Sequence, residues 1–139
     1  MKIKFDNVAK KYGQSITALE NINLEIGGGE FVFVVGPSGA GKSTLLRLLA
    51  RETVPSSGKI LVDDTDVGKL KSKDIPLYRR KLGFVFQDFK LLDDRTVFEN
   101  VALALEVRSI SEPEIKKEVE RILKLFEIWD RRNLFPNQL

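Results

Sequence analysis

Gly36-Pro37-Ser38-Gly39-Ala40-Gly41-Lys42-Ser43-Thr44 carries the residue types with which a backbone grips phosphate. The run fits the spacing G-x-x-x-x-G-K-[ST]. Glycines at 36, 39 and 41 admit conformations that a Cβ forbids, so successive N–H groups turn inward around an anion. Pro37, Ser38 and Ala40 fill the cradle between them, and Thr44 closes it. A helix starting near Lys42 aims its unpaired N–H groups and its positive dipole end at the same point. Lys42 is expected to reach the β- and γ-phosphates as a point charge, and Ser43 to offer its hydroxyl to a bridging magnesium ion. At ordinary residue usage a random chain of this length shows the pattern roughly once in two hundred tries. A plain glycine turn between a core strand and a core helix is the competing reading.

The elements that must hold this loop are legible on either side. Phe31-Val32-Phe33-Val34-Val35 reads as a buried strand entering it, and Leu45-Leu46-Arg47-Leu48-Leu49-Ala50 as the helix leaving it. Upstream, residues 2–8 alternate like a strand, a turn follows around Gly13, and 18–26 alternate again with Leu and Ile on the even positions. Gly27-Gly28-Gly29 breaks the chain before residue 31. Ser56-Ser57-Gly58 is a turn into an edge or hairpin strand at 59–62. Residues 74–81 form a short helix, and Leu82-Gly83-Phe84-Val85-Phe86 reads as a second buried strand ending at Gln87. After Thr96 the pattern turns helical, with apolar residues at helical spacing over 97–107. A capping box then announces a further helix: Ser111 the cap, Pro113 in the first turn, Glu114 three residues on. Ile115, Val119, Ile122, Leu123 and Phe126 make its apolar stripe. The layout is β-rich first and helical second.

Composition bounds the classes. The chain has 139 residues, 42% apolar and 31% charged, with net charge +3, no cysteine and no histidine. Disulfides and thiolate metal sites are excluded. The basic clusters at 69–73 and Arg79-Arg80-Lys81 are read as solvated faces rather than a surface for nucleic acid or lipid. The start lacks the apolar core of a signal peptide, and no apolar run approaches the roughly 20 residues that span a bilayer. The expected compartment is the cytoplasm, with any membrane link made through a partner.

A phosphate loop alone leaves kinases, GTPases, helicases and transport ATPases open. Phe84-Val85-Phe86-Gln87-Asp88, some way after the loop, resembles the Q-loop of ABC-type ATPases. Tyr12, in Asn7-Val8-Ala9-Lys10-Lys11-Tyr12, matches the aromatic residue that stacks on adenine in that family. The stretch from Val85 to Val101, with Ile75-Pro76-Leu77-Tyr78-Arg79-Arg80-Lys81 and the loop itself, resembles the bacterial cell-division ATP-binding proteins of the FtsE type. The resemblance covers essentially the whole chain. Asp93 stands where a proline is expected, and Ile128-Trp129 where a Gly-Leu is common. The neighbouring branch comprises ATPases of lipoprotein and antibiotic exporters.

The resemblance implies an α/β P-loop NTPase of the ABC type, with a β-rich ATP-binding subdomain around a RecA-like core and part of a helical subdomain. It places the ATP-binding core with Walker A and Q-loop at 1–95 and the start of the helical subdomain at 96–139. It implies ATP and magnesium as ligands, Gln87 as a catalytic residue approaching the metal and its attacking water, and Ser43 with Gln87 on the metal side. It also implies a head-to-tail homodimer in the full-length form and an FtsX-like integral membrane partner. That partner would be met through Phe89 to Arg95, on the cytoplasmic face of the membrane. Phe135-Pro136-Asn137-Gln138-Leu139 resembles the lead-in to the family's LSGGQ signature. The expectation is a chain truncated at that leucine. The signature, the Walker B aspartate, the catalytic glutamate and the switch histidine then fall outside it, and the 139 residues alone do not hydrolyse ATP. Residues 31–35 and 83–87 would then flank a gap and leave backbone groups unpaired. Asp93, Asp94 and Glu99 are read as surface residues. A nucleotide-gated adaptor without essential turnover is the second functional class. A P-loop small-molecule kinase with Arg79, Arg80 and Arg95 in a lid is the third, disfavoured by Tyr12 and Gln87.

Overall fold

The computed structural model describes residues 1–13 and 15–139. Its contacts divide the chain into two units, Met1–Phe84 and Val85–Leu139. In the first, the alternating start folds as β1 (Ile3–Tyr12) antiparallel to β2 (Ile16–Ile26), both longer than their sequence pattern. β3 (Ser57–Val62) pairs with the other edge of β1, and β4 (Thr65–Asp66) closes a hairpin onto β3, giving the order β2-β1-β3-β4.

Strict alternation fails here for a physical reason. Phe5 and Val8 are both buried although three residues apart, and so are Leu19 and, in part, Ile22. Asn7 and Asn21 take left-handed backbone at φ 50° each, and the pairing register shifts beside them. Each is a bulge that adds a residue and flips the face, at a residue type that tolerates this conformation. Asn23 ties the bulges together: its Oδ1 accepts from the Asn7 N–H at 2.9 Å, and its amide donates to Asn7 Oδ1 and to the Asn21 carbonyl at 3.2 Å each. Gly58 (φ 76°) lies against the Asn7 carbonyl, where a Cβ would collide. Leu19, an odd position, is thus a core residue.

The inner sheet face packs Phe5, Val8, Leu19, Ile60 and Val62 with Leu48 of α1 (Lys42–Leu49), Val67 and Tyr78 of α2 (Ile75–Arg79). The carbonyls at the end of α1 are met by side chains. Tyr78 Oη donates to Leu49 O at 2.6 Å, and the Arg79 guanidinium to Ala50 O and Arg51 O at 2.9 and 3.1 Å. Arg79, read as part of a solvated face, therefore secures a helix end.

Two expected buried strands do not form. Residues 31–35 and 82–86 belong to no strand pair among the described residues. Phe31, Phe33, Val35 and Val85 are 84, 78, 85 and 101% exposed. An apolar run becomes a buried strand only where neighbours pair its backbone and cover its faces, and none of the described strands does so. Among the described residues neither run has a strand alongside it, although Phe86 O still accepts from Phe89 N–H at 3.2 Å.

The second unit is a pair of helices, α3 (Val97–Glu106) and α4 (Glu112–Leu125), packed through Val97, Ala102, Ile115, Val119 and Leu123. Ile122 is half-buried and Phe126 is 67% exposed, so the apolar stripe ends at Leu123. Ser111 caps α4 only in position. Its hydroxyl donates to Glu114 Oε2 at 2.6 Å and accepts no backbone N–H. The complete capping box sits on α3: Thr96 Oγ1 accepts from Glu99 N–H, and the Glu99 carboxylate accepts from Thr96 N–H at 2.8 Å. Glu99, unlike exposed Asp93 and Asp94, is a half-buried structural carboxylate. The next N–H groups of α3 donate to the returning chain, Val97 to Leu134 O at 2.8 Å and Phe98 to Arg132 O at 2.9 Å.

Candidate functional site

The loop before α1 is shaped by where glycine stands. Gly39 and Gly41 have φ 80° and 89°, a region open to glycine and strained for other residues. At Gly41 space is also absent: an added Cβ would run into Ala18 O and the Leu19 side chain of β2. Gly41 is therefore the point where the loop is pressed onto the sheet and turned into α1. It is the N-cap residue, and no side chain caps the helix. Nor is there an acidic residue in the first turn. The first N–H groups of α1 are thus left for an anion, with the dipole behind them. Ala40 N–H closes a turn on Pro37 O at 3.2 Å, and Leu45 N–H bonds Gly41 O at 2.9 Å.

Lys42 folds back over this loop. Its Nζ donates to Gly36 O at 2.9 Å and Pro37 O at 2.8 Å. The ammonium has three donors, so it is held at the loop mouth with capacity left for a phosphate oxygen. Ser43 is exposed in the first helical turn and Thr44 is half-buried. Among the described residues no group of three His, Cys, Asp or Glu side chains is placed to hold a metal. A hydroxyl donor suits magnesium, which keeps its waters and arrives with phosphates rather than needing a protein cage. The residues present fit that ligand.

Tyr12 ends β1, opposite Ile16, and the residue is 37% exposed. Lys10 was not singled out from the sequence, yet its Nζ stands 5.1 Å from the Tyr12 ring centroid. The alternation set by Ile3 and Phe5 puts even positions outward, and only the bulge at Asn7 turns Val8 and Lys10 inward. Gly36 to Thr44 and Tyr12 all belong to the first unit, and Gly41 meets the strand that pairs with Tyr12's.

Gln87 belongs to the second unit and is exposed. It lies in a turn closed by Phe89 N–H on Phe86 O at 3.2 Å, and Phe89 and Lys90 are left-handed at φ 55° and 53°. Such backbone in bulky residues is costly. Lys90 Nζ meets the Asp88 carboxylate at 2.6 Å and holds its pKa below the usual range. Asn100 also went unnoticed in the sequence: it braces 92–96, accepting from Leu92 N–H and donating to the carbonyls of Leu92, Arg95 and Thr96.

The chain is similar to known proteins along nearly its whole length. Residues 19–139 match the family model described as ABC transporter. The chain is 49% identical over 137 residues to the cell division ATP-binding protein FtsE of Bacillus subtilis strain 168, covering 99% of this chain and 60% of that one. It is 41% identical over 140 residues to the methionine import ATP-binding protein MetN of Histophilus somni, covering 99% of this chain and 41% of that one. The ATP-binding cassette MJ0796, solved as a dimer in a post-hydrolysis state with ADP and Pi, superimposes with TM-score 0.88 at 39% identity. That match covers 99% of this chain and 62% of the cassette.

Proposed function

The chain belongs to the ABC transporter family, and we propose from that premise that Gly36 to Thr44 bind the phosphates of ATP together with magnesium. The observation that carries the reading is Gly41, held left-handed against β2 at the uncapped start of α1 with Lys42 folded over the loop mouth. In this reading the loop N–H groups from Gly39 onward surround the β-phosphate. Lys42 turns from the Gly36 and Pro37 carbonyls toward the β- and γ-oxygens, trading neutral acceptors for charged ones. Ser43 offers its hydroxyl as a metal ligand, Tyr12 takes the adenine on its ring, and Gln87 is the proposed catalytic residue on its resemblance to the family's Q-loop glutamine. Magnesium, when bound, neutralises charge on the β- and γ-oxygens.

The chain spans 60% of the length of the FtsE it matches, so the activity of the whole protein is likewise proposed: hydrolysis of ATP to ADP and phosphate by a head-to-tail dimer. Its coupling is to an FtsX-like membrane protein in bacterial cell division, at the cytoplasmic face of the membrane, through Phe89 to Arg95. Among the described residues no helix is long and apolar enough to cross a membrane. Attachment through the FtsX-like partner is the route proposed. The likeness to MetN supports a second reading, the ATPase subunit of a transporter.

Titration with a fluorescent ATP analogue tests the site. Binding is expected to tighten with magnesium and to lose that gain in Ser43→Ala. Binding indifferent to magnesium and to Ser43 would remove the metal role. A full-length, hydrolysis-dead protein that still supported division would favour a nucleotide-gated adaptor over an ATPase.

A further inference from the structure

Lys10 is 9% exposed, and lysine is almost never so buried without a partner. The Asn7 bulge puts it on the inward face after Val8. Its ammonium donates to Val54 O at 2.8 Å and stands 5.1 Å from the Tyr12 ring centroid. The carbonyl fixes the ammonium, and the ammonium in turn fixes the ring. The chain order sets the scale: Gly41 abuts Leu19, which pairs with Lys10, while Tyr12 pairs with Ile16. At about 3.3 Å per residue, Leu19 to Ile16 spans about 10 Å, the scale on which a nucleotide's base stands off from its phosphates.

Resting on the ATP reading above, we propose that Lys10 is a positioning residue for base recognition. Its ammonium holds one face of Tyr12 so that the other face stacks on adenine. The cation draws π density toward itself and makes the opposite face less electron-rich, which favours stacking on a second π system. It also fixes the ring's torsions before the base arrives, so less freedom is lost on binding.

The test is a double-mutant cycle read by calorimetry with two probes, Mg-ATP and magnesium with inorganic triphosphate. Lys10→Met is expected to weaken ATP binding about two- to fivefold, the range of a cation–π contact, and to leave triphosphate binding unchanged. Lys10→Arg, which keeps cation and donor, should restore ATP affinity. In a Tyr12→Ala background Lys10→Met should have no further effect. Parallel loss of both probes would make Lys10 merely structural and overturn the inference, as would an ATP loss that persists without Tyr12, or no loss at all. Wild-type protein binding neither probe would instead overturn the phosphate reading and the inference with it.

Discussion

Gly41 shows what a single residue decides in this chain. Its φ of 89° and its contact with Ala18 and Leu19 leave no room for a methyl group. Gly41→Ala is therefore expected to lower the melting temperature by several degrees, at about 1–3 kcal/mol for strain plus overpacking, and to weaken nucleotide binding. An unchanged melt and unchanged affinity would show that the loop relaxes freely. Tyr78 offers a second residue-scale check. Burial pushes its phenol up to about 12, and its Oη donates to Leu49 O at 2.6 Å. The folded state thus favours the neutral phenol, and the stability this gives is present below the ordinary value of about 10. It is lost as pH rises from there toward 12. The chain has two tyrosines, so in Tyr12→Phe the tyrosinate absorbance reports Tyr78 alone. Its midpoint is expected near 12, and a midpoint near the ordinary value would contradict the burial.

At the scale of elements, α3 is fixed at its start by a closed pair of hydrogen bonds. The Thr96 backbone N–H, and then its hydroxyl, hold the Glu99 carboxyl below the usual carboxylate range. The ionised form is the one the fold favours, so this stability is complete above the ordinary value of about 4.3. It disappears as pH falls through the lower folded value. Thr96→Ala is expected to cost about 1 kcal/mol at neutral pH, with the difference from wild type shrinking in acid. Chemical denaturation at both pH values measures it, and a difference independent of pH would detach Glu99 from the cap.

How far the elements were legible follows the range of the forces behind them. Gly36 to Thr44 could be read because the motif prescribes local backbone geometry. Helices α3 and α4 could be read because apolar spacing and caps are local as well. The capping box was placed on Ser111 and overlooked at Thr96-x-x-Glu99, although both have the same signature. Bulges at Asn7 and Asn21 escaped because strict alternation assumes an unbroken pleat, and Lys10 escaped with them. The runs at 31–35 and 82–86 were misjudged as buried because apolar composition says nothing about which strands lie alongside.

At the scale of the molecule, each unit has its own core, around Phe5 and Leu48 in one and Val119 and Leu123 in the other. Residues 85–95 are exposed and without regular structure. Limited trypsin digestion is expected to cut first at Lys90, leaving two protected fragments. A first cut inside either core would refute the division. Phe31 and Phe33, edge to face at 4.9 Å, are exposed on a segment with no strand partner among those described. Exposed apolar runs of this kind bind hydrophobic dyes and self-associate. Phe33→Lys should lower dye fluorescence and raise solubility without weakening nucleotide binding.

The central claim is that Lys42 and the loop around it grip the phosphates of ATP. Calorimetric titration of the protein and of Lys42→Ala with Mg-ATP tests this most directly. One saturable site is expected, weakened at least about tenfold by removal of a charge-assisted hydrogen bond while the melt stays cooperative. Absence of binding in the wild type, or equal affinity in Lys42→Ala, would contradict it.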